Sequence, residues 1–331
     1  MNMEQTKSLL FVRCLTYNHA PYIVDAMNGF TMQETNFPFV CKVIDDASTD
    51  GQQEIIRKYF QDNFDLDDES VFRQEENEDY IMLFARHKVN HNCFFEIYLL
   101  KYNHYQLKKP KKAYFEKGME NVKYIAVCEG DDYWINPNKL QTQVDFLESH
   151  PNHSLCIHAY RLDTYHGTEV ESKDIHKYTA DVEIIPDNDV FNTKGMFSAT
   201  ASMVYRASAI KNYPEWTKKA PVGDRPLKFV LFARGHIAYI NKVMSVYRQG
   251  IPGSWTNRVS NNHKAEIATR KRFIQLLVDF DEWTNYKYHK LAIRAIHETK
   301  LLYIKRDIHY YIKKIYYPIS KILNTKKCVN L

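Results

Sequence analysis

Apolar runs that stop abruptly at polar turns set the rhythm of this chain. Ser8 to Leu15 (SLLFVRCL) predicts a first strand, and Thr16-Tyr-Asn-His-Ala-Pro-Tyr22 follows as a turn. Pro21 suits the first turn of a helix continuing through Ile23, Ala26 and Met27. Phe39 to Ile44 (FVCKVI) predicts a second strand, ending at Asp45-Asp-Ala-Ser-Thr-Asp50. Asp50 can cap a helix that carries Ile55, Ile56 and Tyr59. Strand, helix, strand, helix at this spacing predicts parallel strands in a right-handed βαβ unit.

The pattern then loosens. Gln61 to Ser70 reads as an acidic loop, Val71 to Arg73 as a short strand and Phe84 to Leu107 as a helix. Lys108 to Lys112 reads as a solvated basic loop around Pro110. Tyr124 to Cys128 predicts a buried strand, stopped by Glu129-Gly-Asp-Asp132. Pro137 opens a helix over about Lys139 to Ser149, with Leu140, Val144 and Leu147 on one face. His153 to Tyr160 predicts another strand, Gly167 to Asp181 a polar loop and Met203 to Arg206 a strand end. Gly223 to Leu227 opens a helix running through Phe232. Ile237 to Tyr247 reads as two short strands broken at Asn241-Lys242, and Gly250 to Trp255 as a loop. From about His263 the sequence is helical to near Tyr317, with Pro318 as the stop.

The turn after Cys128 carries the clearest chemistry. Three carboxylates in four residues repel one another unless positive charge sits among them. A hard divalent cation carrying a phosphate ester answers that need, because Mg²⁺ and Mn²⁺ take oxygen ligands. The other reading is an acidic turn facing solvent. Both acidic turns fall at the C-terminal edge of one predicted sheet, where open α/β sheets bind nucleotides.

Composition narrows the class. With 26% charged and 44% apolar residues among 331, the chain reads as an ordinary soluble globular protein, one large domain with or without an appendage. No run approaches the roughly 18 apolar residues of a membrane span. The polar start, Met1 to Ser8, lacks a signal peptide's apolar core, so a cytoplasmic protein is expected. None of the six cysteines stands at CxxC spacing; Cys14, Cys41, Cys128 and Cys156 read as small buried hydrophobes. From Lys287 onward eleven Lys and Arg face only Glu298 and Asp307, so a mildly acidic body carries a basic, Tyr-rich tail. The tail has no strong nucleic-acid motif.

Taken together, Thr16-Tyr17-Asn18, Val43-Ile-Asp-Asp-Ala-Ser-Thr-Asp-Gly51 and Cys128-Glu-Gly-Asp-Asp-Tyr-Trp134 resemble the family 2 glycosyltransferases. The likeness covers roughly residues 8–255 and points to the bacterial branch that builds surface polysaccharides and lipo-oligosaccharides, capsule and lipopolysaccharide among them. It implies the GT-A fold, a Rossmann-like α/β mixed sheet flanked by helices, over 1–258, with a helical, basic extension over 259–331. It implies an inverting, metal-dependent (Mn²⁺ or Mg²⁺) transfer from a nucleotide-diphospho-sugar donor to a hydroxyl of a saccharide or lipid-linked saccharide.

The resemblance assigns residues one by one. Thr16, Tyr17, Asn18, Asp45 and Asp46 fall in the nucleotide site, with Asp46 at the base. Asp131 falls at the metal, supported by Glu129 and Asp132. Tyr133 and Trp134 are candidate walls of the sugar pocket, or ordinary core. Arg248 is a candidate diphosphate contact, or one half of a surface ion pair. Asp224 falls at the catalytic base, although as a residue preceding Arg225-Pro226 it also suits a helix cap. His19, His153 and His158 share no ligand spacing and read as structural.

Four features depart from the family's pattern. Glu129 replaces the first acid of DxD, and 77–117 match poorly, as an insertion would. Gly250 stands where this branch often has a His. The QxxRW motif of processive synthases is absent, which favours transfer of single sugars. Two rivals remain: a sugar-phosphate nucleotidyltransferase, which would need a Gly-rich basic loop where Thr16 to Pro21 stands, and a non-catalytic nucleotide-sugar-binding scaffold. In the tail, helical spacing puts Ile304, Ile308, Tyr311, Ile315 and Ile319 roughly on one side with Lys and Arg on the others. Such a helix lies on an anionic leaflet, at the inner face of the membrane, or packs on protein.

Overall fold

The computed structural model describes residues 8–117, 122–192, 198–252, 254, 256, 259 and 262–327, with side chains described as far as Ile308. Among these residues eleven strands form one mixed sheet. Its centre is parallel: β5 (Cys93–Leu100), β2 (Phe39–Asp45), β1 (Leu10–Thr16) and β6 (Tyr124–Val127) lie side by side. β10 (Val204–Arg206) then runs antiparallel between β6 and β8 (His153–His166), so β8 regains the direction of β6. β11 (His236–Gln249) pairs parallel to β8, and the two-residue β7 (Tyr133–Trp134) closes that side antiparallel to β11. On the far side β4 (Tyr80–Arg86) and β3 (Arg73–Glu76) add antiparallel strands, and β9 (Glu169–Ile175) pairs with β8. The C-terminal ends of β1, β2, β6 and β11 therefore share one edge.

Alternation of side chains builds a core on each face. Leu10, Val12 and Cys14 of β1 point with Cys41 and Val43 of β2 toward α1 (Ile23–Thr31), α2 (Gln52–Asn63) and α4 (Lys139–Ser149). α3 (Lys112–Glu116), which falls between α2 and α4 in the chain, gives Phe115 to the core on the other face. The opposite side chains, Phe11, Val40 and Ile44, join a second core with α6 (Asp224–Arg234), which follows the short α5 (Asp187–Val190). α7 (His263–Trp283) and α8 (His289–Lys327) enter that same core through Leu276, Leu277, Phe280, Ala295 and Ile296. Cys14, Cys41, Cys93, Cys128 and Cys156 are buried free thiols, and Cys328 lies outside the described residues.

Several expectations are corrected here. Phe84 to Leu107 is not a helix but most of the β4–β5 hairpin and its following loop. β5 is buried on both faces, so it shows no alternation, and a short continuous apolar run does not tell strand from helix. The polar stretch 167–181 contains β9, whose exposed residues are held by main-chain pairing to β8. Ile237 to Tyr247 is one strand with an irregularity between Ile240 and Ser245 rather than two. Pro318 does not stop α8, which follows a break at 284–288.

Phe280 is fully buried, its ring centroid 4.9 Å from Phe229 and 5.8 Å from Tyr288. Phe280→Ala should destabilise by about 3–5 kcal/mol and lower Tm by several degrees in a thermal melt. An unchanged Tm would mean that α7 adds nothing to the core of the sheet.

Candidate active site

The edge where β1, β2 and β6 end is built by side chains that tie three loops together. Asn18, in the left-handed region at φ 56°, accepts from the Thr49 amide at 2.8 Å, and its own amide donates to Ser48 Oγ at 2.9 Å. Gln52 joins the same two loops. Its Oε1 accepts from the His19 amide at 2.6 Å and from Thr16 Oγ1 at 3.1 Å, while its Nε2 donates to Asp45 Oδ2 at 2.5 Å. Asp45 also accepts from the Ser48 amide and Gln53. Burial pushes its carboxyl up, against the pull of these donors. Tyr17 is half-buried in the first turn.

Asp46 is occupied too. Its oxygens accept from the His104 amide at 2.8 Å, the Tyr105 amide at 3.1 Å and Lys111 Nζ at 2.7 Å. The segment 103–111 is thus latched over the end of β2. Lys111, read as part of a solvated loop, is its ion-pair partner. Underneath, buried Lys42 pairs with Glu96 at 3.1 Å and donates to the Tyr114 and Lys117 carbonyls.

The acidic turn after β6 packs against the first loop. A Cβ at Gly130 would lie 2.3 Å from Thr16 Oγ1, so only glycine allows this approach. Asp132 is buried and accepts from the Arg248 amide at 2.9 Å. The Arg248 guanidinium donates to the Asp131 carbonyl (2.9 Å), Tyr165 Oη (3.2 Å) and Asp25, and stacks over Tyr133 at 4.3 Å and Tyr22 at 5.0 Å. Arg248 is placed as the clamp of this turn. Trp134 is 1% exposed, edge-on to Phe30 at 4.9 Å, and its Nε1 donates to the Ala201 carbonyl. It stands in the core and not in the wall of a sugar pocket.

Asp131 is left facing outward, 20% exposed, with His19 Nε2 3.7 Å from its Oδ2. His19, read from the sequence as structural for lack of ligand spacing, thus stands beside Asp131 at this edge. His153 and His158 do not belong to it; each is buried against a backbone carbonyl. Asp224 is the first residue of α6, after Gly223 at the N-cap, and the Arg225 amide donates to its carboxylate. It is 33% exposed and pairs with buried Lys228 at 3.0 Å. Burial alone would raise its carboxyl, but Lys228 and Arg225 hold it below the ordinary carboxylate value. Burial, then the charges of Asp131 and Asp224, push Glu129 up to about 7. Burial and Asp131 also raise Asp132.

The carboxylates outnumber the cations here, and their oxygens are of the type that hard divalent ions take. Among the described residues no three His, Cys, Asp or Glu side chains close on one point. The protein thus offers an open, partial donor set led by Asp131. Gly250, where the resemblance would put a His, lies at φ +86° with a Cβ position 2.6 Å from the Tyr165 carbonyl oxygen, so a side chain is strained there.

No family model matches the chain. The uncharacterized protein Rv1520 of Mycobacterium tuberculosis is 28% identical over 257 residues, and the uncharacterized protein Mb1547 of Mycobacterium bovis matches equally. The match covers 76% of this chain and 61% of those relatives, so it spans about three fifths of their length. Among solved structures, S. aureus TarS (residues 1–349, in complex with UDP-GlcNAc) superposes with a TM-score of 0.50 at 15% identity, over 81% of this chain and 65% of that one. The mannosyltransferase PcManGT of Pyrobaculum calidifontis, in complex with GDP-Man and Mn²⁺, gives a TM-score of 0.47 at 11% identity, over 89% and 73%. The mixed sheet flanked by helices is therefore a fold shared with TarS.

The raised Glu129 carboxyl has a stability consequence with a definite sign. The folded chain holds this proton more tightly than the unfolded chain does, so stability falls as pH rises from about 4.5 toward about 7. In metal-free buffer Glu129→Gln should stabilise the fold at pH 8 by on the order of 1–3 kcal/mol, seen as a higher Tm, and change it little at pH 4.5. An equal effect at both pH values would place the charge repulsion elsewhere.

Proposed function

We propose that this protein is a glycosyltransferase, moving a sugar from a nucleoside-diphospho-sugar to an acceptor hydroxyl with inversion. The observation that carries the reading is the meeting of two carboxylate groups at one sheet edge. The Glu129–Asp132 turn ends β6, and Asp224 opens α6 close enough for its charge to raise Glu129. The loops after β1 and β2, at the same edge, bound the space for a nucleotide. The fold shared with TarS, solved with UDP-GlcNAc, supports this reading.

In this mechanism Asp131, with Glu129 beside it, would hold a divalent cation. When bound, that ion offsets the negative charge developing on the departing nucleoside diphosphate. Arg248 and Asp132 fix the turn so that Asp131 faces the donor. Asp46 holds the 103–111 segment over the nucleotide space through the His104 and Tyr105 amides and Lys111. Asp224, kept ionised by Lys228, accepts the acceptor hydroxyl's proton during in-line attack.

The acceptor we propose is a saccharide or lipid-linked saccharide of a bacterial surface glycan, met at the inner face of the cell membrane. Leu301, Ile304 and Ile308 are exposed along α8 amid Lys300, Lys305 and Arg306, which suits an anionic leaflet. Tyr311, Ile315 and Ile319 lie outside the described side chains. Among the described residues no helix is long and apolar enough to cross a membrane.

Hydrolysis of UDP-GlcNAc and GDP-mannose, followed by release of nucleoside diphosphate, tests the assignment of the base. With the donor that is turned over, Asp224→Asn should lower kcat by roughly 10²–10⁴ while nucleotide binding persists. Near-normal turnover in that variant would remove Asp224 from the chemistry.

A further inference from the structure

His19 sits in a hydrogen-bond chain that fixes its tautomer. The His19 amide can only donate, so the Gln52 atom 2.6 Å from it is the carbonyl oxygen. The other end of Gln52 faces Asp45 Oδ2 at 2.5 Å, which requires the NH₂ there and agrees with that orientation. Thr16 Oγ1, 3.1 Å from Gln52 Oε1, must then spend its single proton on that oxygen. Facing His19 Nδ1 at 3.3 Å, Thr16 is left with lone pairs only, so Nδ1 carries the proton and donates. In the neutral ring Nε2 is therefore a bare lone pair, and it points at the Asp131 carboxylate from 3.7 Å. Two acceptors face each other across a gap wider than a hydrogen bond.

That gap is narrower than two metal–ligand bonds of roughly 2.1 Å each, so a cation seated off the line between the two atoms bonds both. Metal-ligating histidines almost always donate their other ring N–H to a fixed partner, the part Thr16 Oγ1 plays here. We propose that His19, through Nε2, and Asp131 together ligate a divalent transition-metal ion, giving the site a mixed nitrogen–oxygen donor set that prefers Mn²⁺ to Mg²⁺. The proposal rests on the glycosyltransferase reading for the ion's role and adds to it the second ligand and the class of metal. Imidazole suits first-row transition metals, whereas Mg²⁺ is served by carboxylate, carbonyl and water. His19 stays in place because its amide and its ring are both tied to α2 and β1, and its side chain is 17% exposed.

Electron spin-echo spectroscopy of bound Mn²⁺ reads this directly and needs no turnover. Full-length protein with Mn²⁺ alone, and with Mn²⁺ and UDP, should show modulation from one directly bonded ¹⁴N. The modulation should change to the ¹⁵N pattern when histidine is ¹⁵N-labelled, which tests the wild-type chain without relying on a variant. His19→Gln should abolish the nitrogen coupling and weaken Mn²⁺ binding by more than the roughly 10–100-fold that loss of a mere outer-shell partner costs. Mn²⁺ bound with no histidine nitrogen coupling, or coupling that survives in His19→Gln, would overturn the proposal. In that case loss of Mn²⁺ in Asp131→Asn would leave the glycosyltransferase reading standing. Failure of Mn²⁺ to bind with or without UDP would overturn both the His19 assignment and metal use.

Discussion

Like charges gathered at the end of a buried strand are the constraint from which the working edge follows. Glu129, Asp131 and Asp132 fall within four residues, and α6 brings Asp224 toward them. Each carboxylate is handled differently. Asp132 is buried and tied to the Arg248 amide, and Asp224 is paired with Lys228. Glu129 is raised in its affinity for a proton, first by burial and then by the charges of Asp131 and Asp224. Asp131 is left open beside His19. A turn so charged keeps its shape because Arg248 bridges it to Asp25 and Tyr165 while stacking on two tyrosines.

The same constraint explains the topology around it. Parallel β1, β2 and β6 bring three loops to one edge, and the return of β8 and β11 to that direction delivers Arg248 to the turn that needs it. The loops after β1 and β2 are joined before any ligand binds. Asn18 and Gln52 link them, and Asp46 holds the 103–111 segment with two amides and a lysine. A nucleotide bound as proposed would meet a preorganised edge, with little ordering entropy lost on binding.

What could be read from the chain beforehand followed from where burial is one-sided. β1, β2 and β6 announced themselves by apolar runs ending in acids, and the helices after them by caps and apolar stripes. β5 did not, because both of its faces are buried and its composition fits a helix as well. β9 did not, because its residues are exposed and only main-chain pairing makes it a strand. At the site, the acids of the turn and Asp224 were legible by type and spacing. His19, Gln52, Lys111 and Lys228 were not, since each acts through a partner between 4 and 112 residues away in sequence. Trp134 and Arg248 looked like ligand contacts. Their packing, which no spacing encodes, makes one a core residue and the other a clamp.

The central claim is that this edge binds a nucleoside diphosphate through a metal held at Asp131. Calorimetric titration of UDP, GDP, dTDP and CMP, with Mn²⁺ and with EDTA, tests it most directly. The account predicts that one diphosphate binds only when metal is present, and that Asp131→Ala abolishes the binding while leaving the fold intact. Binding of no nucleotide in the presence of Mn²⁺, or binding that ignores both the metal and Asp131, would contradict it.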